Sequence, residues 1–336
     1  MNLSCKVVCV GPAALDFIFD PIVAGLRQRE HVVHYTDYAQ FERESAAVLG
    51  SAGVLVAVGS FPCTREMMER APQLRALVSP FIGTEGFDEA AATALGIIVA
   101  NGQVPENFLS MAESTILLIL ASLYSLHWWE QQLRDNLPHP PRVPGRMLNG
   151  RTVGMIGFGH IARAIAHRLH SWEVRLQTYI PRLRVPLPNG IARVELDELL
   201  RTSDIVCVLA SLNAETHGML DLNRLRLMKP DAVLINTARG GIIDEQALVQ
   251  IARERTGLRI ALDTFVQEPL PIESPLRTLP NAILTPHAIG HTQESLAALP
   301  PATIETVSRV IRGELPLYVR NPEVIPEWTH RWSPRR

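Results

Sequence analysis

VGMIGFGHIARAIAHRLHSWEVRLQTYIPR, residues 153–182, is the stretch from which the fold can be read. Val153 to Ile156 is a short apolar run of the kind that makes a buried strand, and Gly157-Phe158-Gly159-His160-Ile161-Ala162 carries it into a segment of helical period. Strand, glycine turn and helix N-terminus follow in that order. The first glycine permits a tight turn, the second lets a pyrophosphate approach the backbone, and the third, small position, here Ala162, packs helix on strand. Free N–H groups and the positive end of the helix then face the phosphates. The pattern predicts a dinucleotide site; glycines in this spacing also close ordinary turns.

The chain around this stretch has 336 residues, too many for one ordinary core and enough for two domains of about 100 to 200 residues. Its 32 Lys and Arg nearly cancel 34 Asp and Glu, so no basic field argues for nucleic acid or an anionic membrane. Cys5, Cys9, Cys63 and Cys207 show neither a CxxC pair nor a neighbouring His cluster, which speaks against zinc and for reduced core thiols. MNLSCKVVCV lacks the charged region and long apolar core of a signal peptide, so a cytoplasmic protein is expected. The apolar run 115–129, TILLILASLYSLHWW, is shorter than the roughly 20 residues of a membrane span and reads as a buried helix packed against a second subunit.

Taken in order, strand-like runs stand at 5–12, 53–58, 74–79 and 96–100, with helical patterns at 64–70 and 88–95. Strands alternating with helices mean a parallel sheet with helices on both faces, and a first α/β unit over 1–101. Pro105 opens a long helix to about Asp135, and the proline-rich 136–147 is an extended connector. The second unit, from Thr152, has further strands at 205–209, 232–236, 260–263 and 282–285. A helical pattern over 292–313 is placed to return to the first domain. The division expected is 1–101 plus 292–336 against 102–291.

Each strand of the second unit ends in a polar cluster, and ligands of an open parallel sheet lie beyond those ends. Arg239 in INTARGGIID offers a planar charged fork for a carboxylate or carbonyl, and His287 in LTPHAIGHT can give or take a proton. Glu268 in ALDTFVQEPLP is a carboxylate able to orient such a ring and stabilise its charged form. Singly each has an ordinary reading: a solvated loop charge, a surface residue beside Pro269, a capped core histidine. Together, at successive strand ends beside a dinucleotide, they supply what reversible hydride transfer to a 2-oxo acid requires.

VGMIGFGHIA, LMKPDAVLINTARGGIIDEQAL, ALDTFVQEPLP and ILTPHAIGHTQES resemble the D-isomer-specific 2-hydroxyacid dehydrogenases, and LRALVSPFIGTEGFDEAAATALGIIVAN does so more loosely. The resemblance implies an α/β fold of two Rossmann-like domains with parallel sheets, a flavodoxin-like substrate domain and an NAD(P)-binding domain with the cleft between them. It implies a homodimer built through the helix at about 105–135. Arg239 would anchor the substrate carboxylate and carbonyl, His287 would exchange the proton, and Glu268 would pair with His287. Cofactor contacts would come from Gly157, Gly159, His160, Ile161, Thr237, Ala238, Asp263 and Gly290; Asp263 matches the residue that meets the nicotinamide carboxamide, and also reads as a turn cap. The loop 79–84, with Phe81, Ile82 and Gly83, resembles the family's substrate-carboxylate loop but is shorter and lacks its run of glycines.

One further position departs from the NAD pattern, which expects an acid at the end of the second strand to hold the ribose hydroxyls. Ile180 stands there, and Arg182, with Arg184 behind it, is suited to a 2′-phosphate. NADP is therefore expected over NAD, with two solvated arginines as the plainer reading. The function expected is reduction of a small 2-oxo acid, or oxidation of the D-2-hydroxy acid. A dinucleotide-sensing binding protein on the same fold is the alternative, and formate is disfavoured because formate enzymes of the family carry Gln where Glu268 stands. Trp128 and Trp129 read equally as interface anchors or pocket walls.

Overall fold

The computed structural model describes residues 6–138, 145–182 and 186–333. The chain divides into two compact units, Met1–Asn107 with Thr292–Arg336, and Phe108–His291.

In the first unit the strands are β1 (Lys6–Val10), β2 (His31–Tyr35), β3 (Ala52–Ala57), β4 (Ala76–Ser79) and β5 (Ile98–Asn101). They form a parallel sheet in the order β2-β1-β3-β4-β5, the doubly wound arrangement. Strands β1, β3, β4 and β5 are buried almost throughout, as apolar runs covered on both faces must be. The sequence reading missed β2 and the helix Tyr38–Leu49 after it. Strand β2, HVVHY, lies at the sheet edge with an exposed first residue and two histidines, so its apolar signal is weak.

The helix Gln293–Ile311 belongs to this unit. It opens with a reciprocal cap: Thr292 Oγ1 accepts from Ser295 N at 3.2 Å, and Ser295 Oγ accepts from Thr292 N at 2.9 Å. At Gly25 a Cβ would stand 2.5 Å from the Cδ1 methyl of Ile304 on that helix, so the two helices pack closely there. The tail then folds onto the sheet, where Trp328 is fully buried and donates to Arg75 O at 2.8 Å.

The second unit contains β6 (Thr152–Ile156), β7 (Arg175–Tyr179), β8 (Ile191–Arg193), β9 (Ile205–Val208), β10 (Val233–Asn236), β11 (Arg259–Leu262) and β12 (Ala282–Leu284). All pairs are parallel, in the order β12-β11-β10-β9-β6-β7-β8. The chain winds outward from β6 to β8, then returns to β9 and winds the other way. The order therefore reverses between β6 and β9, and the crevice at that point lies directly after the glycine turn. Strand β8, three residues long and largely exposed, was not legible in the sequence.

The long helix expected from Pro105 to about Asp135 is two helices, Pro105–Leu123 and Leu126–Arg134. Ser125 takes a left-handed conformation, φ 53°, and breaks them. The carbonyls freed at the break are occupied: Arg259 donates to Ser122 O and Leu123 O at 2.7 Å each, and Arg146 N donates to Leu123 O at 2.8 Å. The buried face of the first helix packs on the sheet, while Leu117, Tyr124, Leu126 and Leu133 are more than half exposed. Cys9, Cys63 and Cys207 are free and buried, and burial pushes the Cys9 and Cys207 thiols up to about 12. Cys5 lies outside the described residues.

Candidate active site

Strand β6 is fully buried and is followed by Gly157, whose φ of +95° suits glycine. Its N–H donates to Tyr179 O of β7 at 2.9 Å, and a Cβ there would stand 2.9 Å from the backbone of Ala210 beyond β9. Gly159 is the N-cap of the helix His160–Leu169 and no side chain caps it. A Cβ on Gly159 would meet nothing within 4 Å. The helix thus presents uncapped N–H groups to open space, a cradle that fits a pyrophosphate. Ala162 is fully buried beneath, Ile161 is half-buried, and His160 stacks on Phe108 with ring centroids 5.0 Å apart.

At the end of β7, Ile180 is half-buried and Arg182 is exposed. Arg182 Nη2 lies 3.1 Å from Glu215 Oε1, an ion pair 33 residues apart in sequence that no local pattern announced. Arg193 on β8 donates to the carbonyls of Ile180 and Pro181 at 3.1 and 3.0 Å. Arg184 lies outside the described residues.

Beyond β10, buried Asn236 organises the turn that carries Arg239. Its Nδ2 donates to Arg239 O at 3.0 Å and its Oδ1 accepts from Ala238 N at 3.1 Å. Arg239 Nη1 donates to Ala238 O at 2.7 Å. Thr237, also buried, turns its hydroxyl toward Thr115 at 3.2 Å. Gly240 follows, and a Cβ there would stand 2.0 Å from the backbone carbon of Phe265, so glycine lets the Arg239 turn rest on the loop after β11. That loop carries Glu268.

The third turn follows β12. Asp263, 2% exposed at the end of β11, gathers it on one oxygen: Oδ1 accepts from Thr285 Oγ1 at 2.7 Å, Ala288 N at 3.1 Å and Ile289 N at 3.2 Å. The turn-cap reading of Asp263 thus describes a contact that is present. Bound in this way, His287 sits at φ 54°, a region side chains seldom enter without support from their surroundings. Its Nδ1 is 2.7 Å from Glu268 Oε2, while Glu268 Oε1 accepts from Phe265 N at 2.9 Å. Both members of the pair remain partly open, 41% and 35% exposed, and a cavity of about 600 Å³ opens beside them. Gly290 packs closely on Met111, whose Sδ would stand 2.0 Å from a Cβ there, and its carbonyl accepts from Ser110 Oγ at 2.7 Å. His291, unremarked in the sequence, has its imidazole pKa lowered by burial and then by the charge of His287, with Asp263 opposing.

In the first unit, the loop with Phe81, Ile82 and Gly83 lies beyond the carboxyl end of β4. Asn101 Nδ2 donates to Ile82 O at 2.7 Å, Gly102 N donates to Phe81 O at 2.9 Å, and Phe81 N donates to Ser79 Oγ at 3.2 Å. At Gly59 a Cβ would stand 1.9 Å from Gly83 O, which shows how closely the neighbouring loop abuts. The loop that lacks the expected glycines is held instead by side chains and by glycines at 59 and 102.

Residues 116–288 match the family described as D-isomer specific 2-hydroxyacid dehydrogenase, NAD binding domain. The chain is 35% identical over 269 residues to a glyoxylate reductase of Thermofilum pendens, across 77% of this chain and 78% of that one. It is 33% identical over 280 residues to D-3-phosphoglycerate dehydrogenase of Methanocaldococcus jannaschii, across 82% of this chain and 53% of that one, so it spans about half that relative's length. Among solved structures, NADPH-dependent glyoxylate/hydroxypyruvate reductase of Sinorhizobium meliloti in complex with NADP and malonate aligns with a TM-score of 0.82 at 25% identity over 99% of each chain. With a glycine cradle before an uncapped helix and a His–Glu pair at neighbouring strand ends, the chain belongs to the D-isomer-specific 2-hydroxyacid dehydrogenases, oxidoreductases that work with a nicotinamide cofactor.

Proposed function

We propose that this chain reduces a small 2-oxo acid to the D-2-hydroxy acid with NADPH in preference to NADH. The observation that carries the reading is the His287–Glu268 pair at 2.7 Å, set beside the Arg239 turn by the contact at Gly240. The nicotinamide cofactor, when bound, supplies or accepts the hydride. The uncapped amides at Gly159, His160 and Ile161 hold its pyrophosphate, and the loops with Thr237, Ala238, Asp263 and Gly290 border it. Arg239 binds the substrate carboxylate and draws charge from the carbonyl oxygen. Glu268, hydrogen-bonded to His287 Nδ1, leaves Nε2 to give its proton to that oxygen in reduction and to take it back in oxidation.

Two features support the finer points. The end of β7 carries Ile180 and Arg182 where an NAD site would place an acid, which favours a 2′-phosphate. The Sinorhizobium reductase with NADP and the Thermofilum glyoxylate reductase point to glyoxylate and hydroxypyruvate as first substrates to try. In this reading the first unit, with the 79–84 loop, is the substrate domain. The apolar face of Leu117, Tyr124, Leu126 and Leu133 is covered by a second copy in a homodimer. Steady-state rates on a panel of 2-oxo acids, from glyoxylate to branched and aromatic ones, with each cofactor test the proposal. Turnover with NADPH above that with NADH is expected; a clear preference for NADH sinks the cofactor assignment, and no turnover across the panel sinks the substrate class.

A further inference from the structure

Strands β7 and β9 flank β6, and the loops that leave them start against Gly157. Both have preset backbones. In the β7 loop, Arg193 holds the carbonyls of Ile180 and Pro181, the two residues before Arg182. In the β9 loop, Asn213 Oδ1 accepts from Glu215 N at 2.9 Å and Thr216 N at 3.1 Å, while Thr216 Oγ1 accepts from Asn213 N and donates to Ser211 O, each at 2.8 Å. Glu215 therefore stands on a knotted turn. Its carboxylate meets Arg182 at 3.1 Å, with the side chains 67% and 76% exposed.

We propose that Glu215 determines specificity at the 2′ position of the cofactor's adenosine ribose. It is the acid missing at Ile180, delivered from β9 instead of β7. The proposal rests on the reading that Arg182 meets a 2′-phosphate. A phosphate monoester carries about −1.5 to −2 charges and takes the guanidinium from a single carboxylate, but it must break the Arg182–Glu215 pair and lie near a like charge. A 2′-hydroxyl pays neither penalty and can donate to the carboxylate. Glu215 thus moderates the preference that Arg182 sets up, and the chain is poised to accept both cofactors.

The test uses two ligands without nicotinamide, adenosine 2′,5′-bisphosphate and 5′-AMP, with dissociation constants measured by calorimetry on wild type, Glu215→Gln, Arg182→Ala and the double variant. Glu215→Gln should tighten the bisphosphate about two- to five-fold, the scale of an exposed ion pair, without any gain for 5′-AMP, and the gain should shrink as salt is raised. Arg182→Ala should weaken the bisphosphate and reduce the effect of the second substitution. If Arg182→Ala weakens the bisphosphate while Glu215→Gln leaves it unchanged, the role of Glu215 is overturned and the NADPH reading stands. Equal tightening of both ligands marks a general field effect and also overturns it. If Arg182→Ala changes neither ligand, the NADPH reading itself fails and the role of Glu215 falls with it.

Discussion

The two ends of the seven-stranded sheet use the same residue types for different ends. At the amino end, just before β9, Asp204 accepts from Thr152 N at 2.8 Å and Lys229 Nζ at 2.9 Å, with Arg151 at 3.6 Å. Arg146 bonds the carbonyl and carboxylate of Asp231, and Arg259 ties off the last carbonyls of the helix Pro105–Leu123. Burial, with Arg146 nearby, lowers Arg259 to about 10, Asp231 opposing. These charges close strand and helix ends. At the carboxyl end, the backbone groups are satisfied by Asn236 and Asp263, which leaves a His–Glu pair partly open to solvent. A charged residue in this fold is therefore read by which end of a strand it follows, because the crevice lies at only one of them.

Substitutions at the carboxyl end should lower turnover and spare stability. His287→Ala is expected to cost about 100- to 10,000-fold in kcat, the range of general acid catalysis, with an unchanged melting temperature. Full turnover in that variant would remove His287 from the chemistry. Arg239→Gln keeps a polar side chain without the charge, and kcat/KM should fall about 100- to 1,000-fold, as when one donor to a developing oxyanion is lost. A change confined to KM would reduce Arg239 to a binding role. Glu268→Gln should cost about 10- to 100-fold, since a hydrogen bond to a charged group is worth about 1.5–3 kcal/mol.

The amino end should behave in the opposite way. Asp204→Asn leaves turnover intact and lowers unfolding free energy by about 1–3 kcal/mol, measured by denaturant titration. Burial raises the Asp204 pKa, but the Thr152 amide, Lys229 and Arg151 outweigh it, so the carboxyl is held below its ordinary value. A carboxylate lowered in the native state stabilises fully above its unfolded pKa and loses that contribution as the pH falls toward the native value. The stability gap between wild type and Asp204→Asn should therefore close in acid. A gap that persists there would trace the loss to packing.

Much of this was legible because it is local. A glycine turn between strand and helix, the polar clusters at strand ends, and the replacement of an acid by Ile180 are each written within a few residues. Short edge strands such as β2 and β8 were not, since they bury too little to impose a period. The break at Ser125 was hidden for a different reason: it depends on Arg259, more than 130 residues away, to cap the carbonyls it frees.

The sequence by itself determined the strand, glycine turn and helix that open the second unit, and it marked Arg239, Glu268 and His287 at successive strand ends. Only the tertiary structure decided how they are held: Gly240 against Phe265, three donors on Asp263, His287 in a left-handed turn, and Glu215 against Arg182. The physical reason is that strand order, not chain order, sets which loops meet. The loops after β6, β7 and β9 meet around Gly157, and those after β10, β11 and β12 bring Arg239, Glu268 and His287 together, although each set is spread over about 50 residues of sequence.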